Sequence, residues 1–142
     1  MTDQSNLERL KAAYQTWAET KGETDDAREK WLDLFDDHIQ IISMDETAAG
    51  LAFARNRRAK AEAVDYLLAI VQEWKMIHWT PETFVAEGDQ IAMFGKCAWT
   101  NRRTQKSMEC QVAHLWQFSA GKAIRYTEVF DSARAAAAST PP

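Results

Sequence analysis

Between Ser107 and Phe118 the chain alternates with period two. Met108, Cys110, Val112, His114, Trp116 and Phe118 share one parity, and Glu109, Gln111 and Gln117 the other. Successive side chains of a strand leave from opposite faces. A run this regular predicts a strand with one face turned to a core, and its period does not fit a helix. His114 is the only strongly polar member of the inner set, which places it on the wall of whatever that face encloses.

Neighbouring segments extend the pattern. Strand-like stretches cover about 76–87, 90–102, 107–118 and 123–130, separated by Gly88-Asp89, 103–106 and 119–122 as hairpin strands are. Pro81 marks a bulge or an edge position in the first of them. Pairing Arg102 with Ser107 sets Val112 opposite Cys97 and Cys110 opposite Trp99, with the two cysteines as diagonal neighbours. Ile91, Met93, Gly95, Cys97 and Trp99 then form a matching inner set. For the last strand two registers compete. A four-residue turn pairs Phe118 with Ala123 and turns Ile124, Tyr126 and Phe130 outward. A one-residue bulge near Gly121 sets Ile124 opposite Phe118, keeps that set inside, and places Glu128 directly opposite His114. The bulge is favoured because it keeps apolar side chains in the core.

The first half reads as helical. Ser5 to Glu8 is a capping box, and Leu7, Leu10, Tyr14 and Trp17 recur at helical spacing up to Gly22. Thr24 caps a second helix, with Asp25 and Asp26 suited to its N-terminal end and Ala27, Trp31, Leu34 and Phe35 on its buried side. Ile39 to Ile42 is a short strand, followed by a loop from Met44 to about Asn56. A third helix runs from about Arg58 to Trp74, with Ala61, Val64, Leu68 and Val71 inside. Residues 133–142 are alanine-rich and end in two prolines, the mark of a frayed helix or tail. Together these segments predict one α+β domain over residues 1–142, with an ordered core of about 6–134, in which about three helices pack on a curved antiparallel sheet and enclose a pocket.

Composition limits the function classes. The 142 residues carry a net charge of −4, which argues against nucleic acid as a partner. The basic clusters Arg55–Arg58 and Arg102-Arg103 read as solvated loop ends. The polar N-terminus lacks a signal-peptide pattern and no apolar run approaches a membrane span, so a cytoplasmic protein with free thiols and no membrane contact is expected. His38 and His78 lie on other elements than His114, and no spacing suggests a metal site. The five glycines form no phosphate loop, and no cofactor is expected. Neither cysteine lies near an identifiable helix start or basic group, which argues against a thiol nucleophile. On the outer sheet parity, Phe94, Ala98, Ala113, Leu115 and Val129 are apolar or small, and they predict a homodimer through that face.

Leu34-Phe35-Asp36-Asp37 leading into the first strand, Val112 to Phe118 followed by Gly121-Lys122, and the ending Arg125 to Asp131 together resemble the nuclear-transport-factor-2-like superfamily. Within it the chain resembles the SnoaL-like polyketide cyclases and the ketosteroid isomerases, over about residues 6–134. The resemblance implies a cone-shaped fold around a small-molecule pocket, and a site carried over position by position. Tyr14 matches the isomerase tyrosine that donates to the developing oxyanion. His114 falls at the family's second donor, elsewhere an aspartic acid kept protonated by its apolar site. The place of the base aspartate holds Ile42 or Ser43, with Asp45 one or two residues too late, which argues against authentic ketosteroid isomerisation.

The candidate catalytic set is therefore His114, Glu128 and Tyr14. His114 would act as acid or base near neutral pH, Glu128 would orient it, and Tyr14 would polarise a substrate oxygen. The competing reading makes Tyr14 a core residue and the His114–Glu128 pair a satisfied polar contact that fixes the register. Trp17, Trp99, Cys97, Val112, Trp116, Tyr126 and Phe130 are the candidate ligand-binding residues, for a small apolar or aromatic ligand. Three functions stay open: cofactor-independent isomerisation or cyclisation of an apolar carbonyl compound, a non-catalytic binding module, and an interaction protein with a filled interior. A cavity below roughly 300 Å³ excludes a drug-sized ligand.

Overall fold

The computed structural model describes residues 3–43 and 51–142. Three helices precede most of the sheet: α1 (Asp3–Thr20), α2 (Asp25–Leu34) and α3 (Lys60–Glu73). The strands are β1 (Phe35–Ser43), β2 (Arg57–Arg58), β3 (Trp74–Glu87), β4 (Gln90–Asn101), β5 (Ser107–Ser119) and β6 (Lys122–Phe130), and α4 (Ser132–Ser139) closes the chain. They form one six-stranded sheet in the order β2-β1-β6-β5-β4-β3. β1 runs parallel to β6 and the other pairings are antiparallel, so the sheet is mixed rather than antiparallel throughout. The sequence gives no cue for this, because β1 lies far from β6 along the chain and the pairing is purely tertiary.

The helical stripe of α1 buries Leu10, Tyr14 and Trp17. The helix starts at Asp3, so Ser5 lies inside its first turn rather than capping it. Gly22 ends this region with φ +69, and a Cβ there would come within 2.8 Å of the Trp17 ring, so both conformation and space require glycine. Thr24 caps α2 by accepting from the Ala27 amide at 3.3 Å. Phe35 is buried as expected, but as the first residue of β1. The inner face of α3 is Ala63, Tyr66 and Leu67 instead of Ala61, Val64, Leu68 and Val71. This helix is apolar almost all round, so periodicity alone could not orient it. The alanine-rich end forms α4, whose N-cap Asp131 accepts from the Arg134 amide and whose Ala135 and Ala138 are buried. Of the expected loop after β1, residues 44–50, including Asp45, lie outside the described residues.

The β4–β5 register differs from the expectation by two residues. Thr100, not Arg102, pairs with Ser107, so Cys97 lies directly opposite Cys110 and Val112 opposite Gly95. The cause is the turn. Asn101 Oδ1 accepts from the Arg103 and Thr104 amides, and Arg102 leaves the ladder to donate to the Glu73 and Val71 carbonyls at the end of α3. A slip of two preserves parity, so the inner set is unaffected.

The two alternatives for β6 are combined. Ser119 pairs with Lys122 across a tight turn in which Ala120 and Gly121 have φ of 50 and 79, and Phe118 pairs with Ala123. Gln117 then pairs with Arg125, which makes Ile124 the bulged residue. It is exposed, while Tyr126, Glu128 and Phe130 return to the inner parity. On the edge strand β3, register shifts at Ile77 and Glu82 bend the sheet next to Pro81. Bulges and bends of this kind curl the sheet around the helices and leave a hollow between them.

Candidate functional site

The hollow is lined by Tyr14 and Trp17 of α1, Trp31 of α2, Tyr66 of α3, and the inner residues of β3 to β6. All of the sequence-derived candidates reach it: Tyr14, His114 and Glu128, together with Trp17, Trp99, Cys97, Val112, Trp116, Tyr126 and Phe130. Sequence reading missed Tyr66, Trp31 and Trp79. Tyr66 follows Ala63 by three positions and precedes Ile70 by four, a stripe as good as the one preferred, and only packing chooses between them.

Parity brings the polar groups of β5 and β6 together. His114 pairs with Glu128 and Trp116 with Tyr126. The histidine and the carboxylate nevertheless do not bond directly, since a tyrosine lies between them. Tyr126 Oη is 3.0 Å from His114 Nε2 and 3.2 Å from Glu128 Oε2. Tyr66 donates to the same carboxylate oxygen at 2.6 Å. At the other end, Tyr14 Oη is 2.6 Å from His114 Nδ1 and accepts from Trp116 Nε1 at 2.9 Å.

The donors along this hydrogen-bonded row fix the tautomer of His114. Were the imidazole proton on Nδ1, the Tyr14 proton would have no acceptor. Tyr14 therefore donates to Nδ1, Nε2–H donates to Tyr126, and Tyr126 and Tyr66 donate to Glu128. The Tyr14 proton is thus committed within the protein. Glu128 Oε1 and the indole N–H groups of Trp74 and Trp79, all on residues lining the hollow, are buried without a close hydrogen-bond partner, and so is the Ser43 hydroxyl, opposite Glu128 on β1, which acts on its carboxyl.

Burial sets the charge states. His114 is stacked near Tyr14 and Trp79 and meets Tyr126 edge-on. Removal from water pushes its pKa down to about 3, so it is neutral through the physiological range. The same cause pushes the Glu128 carboxyl up to about 7, against the opposing influence of Tyr66, Tyr126, the Arg57 charge and Ser43. Burial also raises the Tyr14, Tyr66 and Tyr126 hydroxyls above their ordinary range. Of the two, the Glu128 carboxyl and not the His114 imidazole is pushed towards neutrality. Arg57 is another correction. It is 3% exposed rather than solvated, donates to the Phe53 and Arg55 carbonyls, and lies over the Tyr66 ring.

The aromatic supply fills much of the space. Trp31 and Trp116 stack at 5.4 Å and Trp116 stacks on Tyr126 at 4.3 Å. The cavity that is left measures about 80 Å³. In this side-chain arrangement a drug-sized ligand does not fit, and a compact one does. Among the described residues no group of three histidine, cysteine or acidic side chains could hold a metal ion, and no helix is long and apolar enough to cross a membrane.

Similar folds are known. A nuclear-transport-factor-2-like protein from Burkholderia thailandensis is 23% identical, with 99% of each chain covered and a TM-score of 0.79. TerC, co-crystallised with polyporic acid, is 21% identical over 91% of this chain and 93% of its own, with a TM-score of 0.75. A Jannaschia sp. protein assigned to the SnoaL-like polyketide cyclases is 14% identical over 97% of this chain and 94% of its own, with a TM-score of 0.73. At these identities the likeness is one of fold. Comparison with curated proteins finds no match. The family model of the SnoaL-like domain matches residues 10–126, and the chain belongs to the SnoaL-like domain family.

Proposed function

We propose that the chain is a small-molecule pocket enzyme that moves a proton on a compact apolar carbonyl compound, without a cofactor, using Glu128 as general base and acid. One observation carries this reading. Glu128 is a buried carboxyl with a pKa pushed up to about 7, and its Oε1 has no close hydrogen-bond partner in a cavity lined mostly by aromatic side chains. The unused N–H groups of Trp74 and Trp79 are the available donors to a substrate oxygen. Tyr66 and Tyr126 hold Oε2, and neutral His114 orients Tyr126, while Tyr14 and Trp116 orient His114.

The register supports a relocated base. Ser43, at the end of β1, is the parallel-register partner of Glu128 on β6. In this reading the carboxylate that the end of β1 lacks comes from the adjacent strand. A standard steroid enone is too large for the cavity and is not expected to turn over.

The test is solvent deuterium incorporation into a panel of small ketones and enones, read by mass spectrometry. Exchange at the carbon next to the carbonyl is expected in the wild type, rising through pH 7, and falling roughly 10²- to 10⁴-fold in Glu128→Gln. No exchange, or exchange indifferent to that substitution, sinks the proposal. The small cavity favours one other reading, a binding module for a compact ligand, in which the same unpaired groups orient the ligand and nothing reacts.

The outer sheet face supports a homodimer. Phe94, Ala113 and Val129 lie in one row across three strands, beside Leu115, and Phe94 is 51% exposed. Sedimentation of the wild type against Phe94→Lys would test it, with dissociation expected for the variant. The free thiols of Cys97 and Cys110 fit a reducing compartment such as the cytoplasm.

A further inference from the structure

We propose that Cys97 and Cys110 are a redox-active pair in the cavity wall, closing to an intramolecular cross-strand disulfide on two-electron oxidation by a peroxide. The two residues are direct partners across β4 and β5, and their sulfurs are 3.6 Å apart. Cα atoms of directly opposed antiparallel residues stand about 4.5–5.5 Å apart, inside the range a disulfide spans. Closure therefore needs side-chain rotation and no shift of the strands. Both residues line the cavity, which at about 80 Å³ admits a molecule the size of hydrogen peroxide although both side chains are buried.

The two sulfurs are not equivalent. The hydrogen bond between them, and then burial, raise the Cys97 thiol. The same bond lowers Cys110, with the backbone at Asp131 and the charge of Arg134, against burial and the Asp131 carboxylate, which raise it. Asp131 is the N-cap of α4, so Cys110 does lie at a helix start and beside a basic group, although the sequence hides this. Cys110, next to the start of α4 and to Arg134, which donates to the neighbouring Glu109 carbonyl, is the attacking thiolate. Its sulfur takes one oxygen of the peroxide as the O–O bond breaks, which gives a sulfenic acid, and the leaving hydroxide is protonated to water. The Cys97 sulfur then attacks the sulfenyl sulfur. The S–O bond breaks, the departing hydroxide takes the Cys97 proton, and a disulfide and a second water result. Two thiols are oxidised and one peroxide is reduced.

The experiment treats the full-length wild type with hydrogen peroxide and maps it by non-reducing peptide mass spectrometry. Expected are an intact monomer lighter by two hydrogens, a linked Cys97–Cys110 peptide, loss of both free thiols, and full reversal by dithiothreitol. In Cys97→Ser, with its fold checked by circular dichroism, Cys110 should be captured as a sulfenic acid by a dione probe. The inference is overturned if both wild-type thiols survive peroxide that oxidises glutathione in the same tube. It is also overturned if oxidation stops at separate sulfenic or sulfinic acids, or if the disulfide joins two molecules. None of these readouts depends on the proposed reaction at Glu128.

Discussion

His114 and Glu128 occupy facing positions on adjacent strands, share one bridging tyrosine and are equally enclosed, yet burial moves them in opposite directions. Leaving water penalises the charged form of each, so the imidazole falls to about 3 and the carboxyl rises to about 7. Between those values both are neutral, and no buried ion pair forms. The difference lies at the far side of each group. Both His114 nitrogens are used by tyrosines, whereas Glu128 keeps one oxygen without a close hydrogen-bond partner. Facing residues in the same apolar box thus become a closed structural link and an open, titratable one.

Acid tests the closed link, with the largest effect. The folded pKa of His114 lies below its ordinary 6.5, so its contribution to stability is complete above that pH and is lost as pH falls towards 3. The loss amounts to roughly 5 kcal/mol. Urea titrations against His114→Phe, which lacks this slope, would show it, and an NMR midpoint for His114 above 6 would refute it.

The open link behaves in the opposite sense. Because the folded pKa of Glu128 is raised, its contribution is complete below the ordinary 4.5 and lost as pH rises through 7. That is about 3 kcal/mol. Between 4.5 and 6.5 the two single-proton slopes oppose, so wild-type stability should be nearly flat there. Glu128→Gln should expose the rising His114 slope, and a flat profile in that variant would contradict the assignment.

Tyr66→Phe removes the 2.6 Å donor to Glu128. Stability above pH 7 should fall by about 2 kcal/mol, and the carboxyl should titrate at higher pH than in the wild type, visible as a displaced pH-rate profile. Smallest is Tyr126→Phe, which cuts the chain between the two groups. It should cost about 1 kcal/mol and, because the Tyr126 hydroxyl lowers the carboxyl, displace the Glu128 titration to higher pH by less than Tyr66→Phe does. An unmoved carboxyl titration in the Tyr126 variant would mean that this hydroxyl does not hold Glu128.

Much of this site could be read before any fold was known. Period-two alternation placed His114, Trp116 and Cys110 on one wall, and the choice of a bulge in the last hairpin set Glu128 opposite His114. Both survived a two-residue register error at Asn101, because parity is indifferent to even slips. The bulge itself lies at Ile124 rather than at Gly121, since the turn could take positive φ at Ala120 and Gly121 and stay tight. Orientation of α3 was illegible, because a helix apolar on nearly every side carries no stripe to follow, and Tyr66 was lost with it.

The sequence by itself determined the α+β class, the inward parity of β4 and β5, and the residues that share the pocket, because local period and turn chemistry are encoded residue by residue. Only the tertiary structure decided the parallel β1–β6 pairing, the bridging position of Tyr126, the burial of Arg57 and the helix start beside Cys110. It also decided which of two facing groups titrates near neutrality. That depends on desolvation and on partners brought from distant elements, and neither quantity exists until the chain has closed around them.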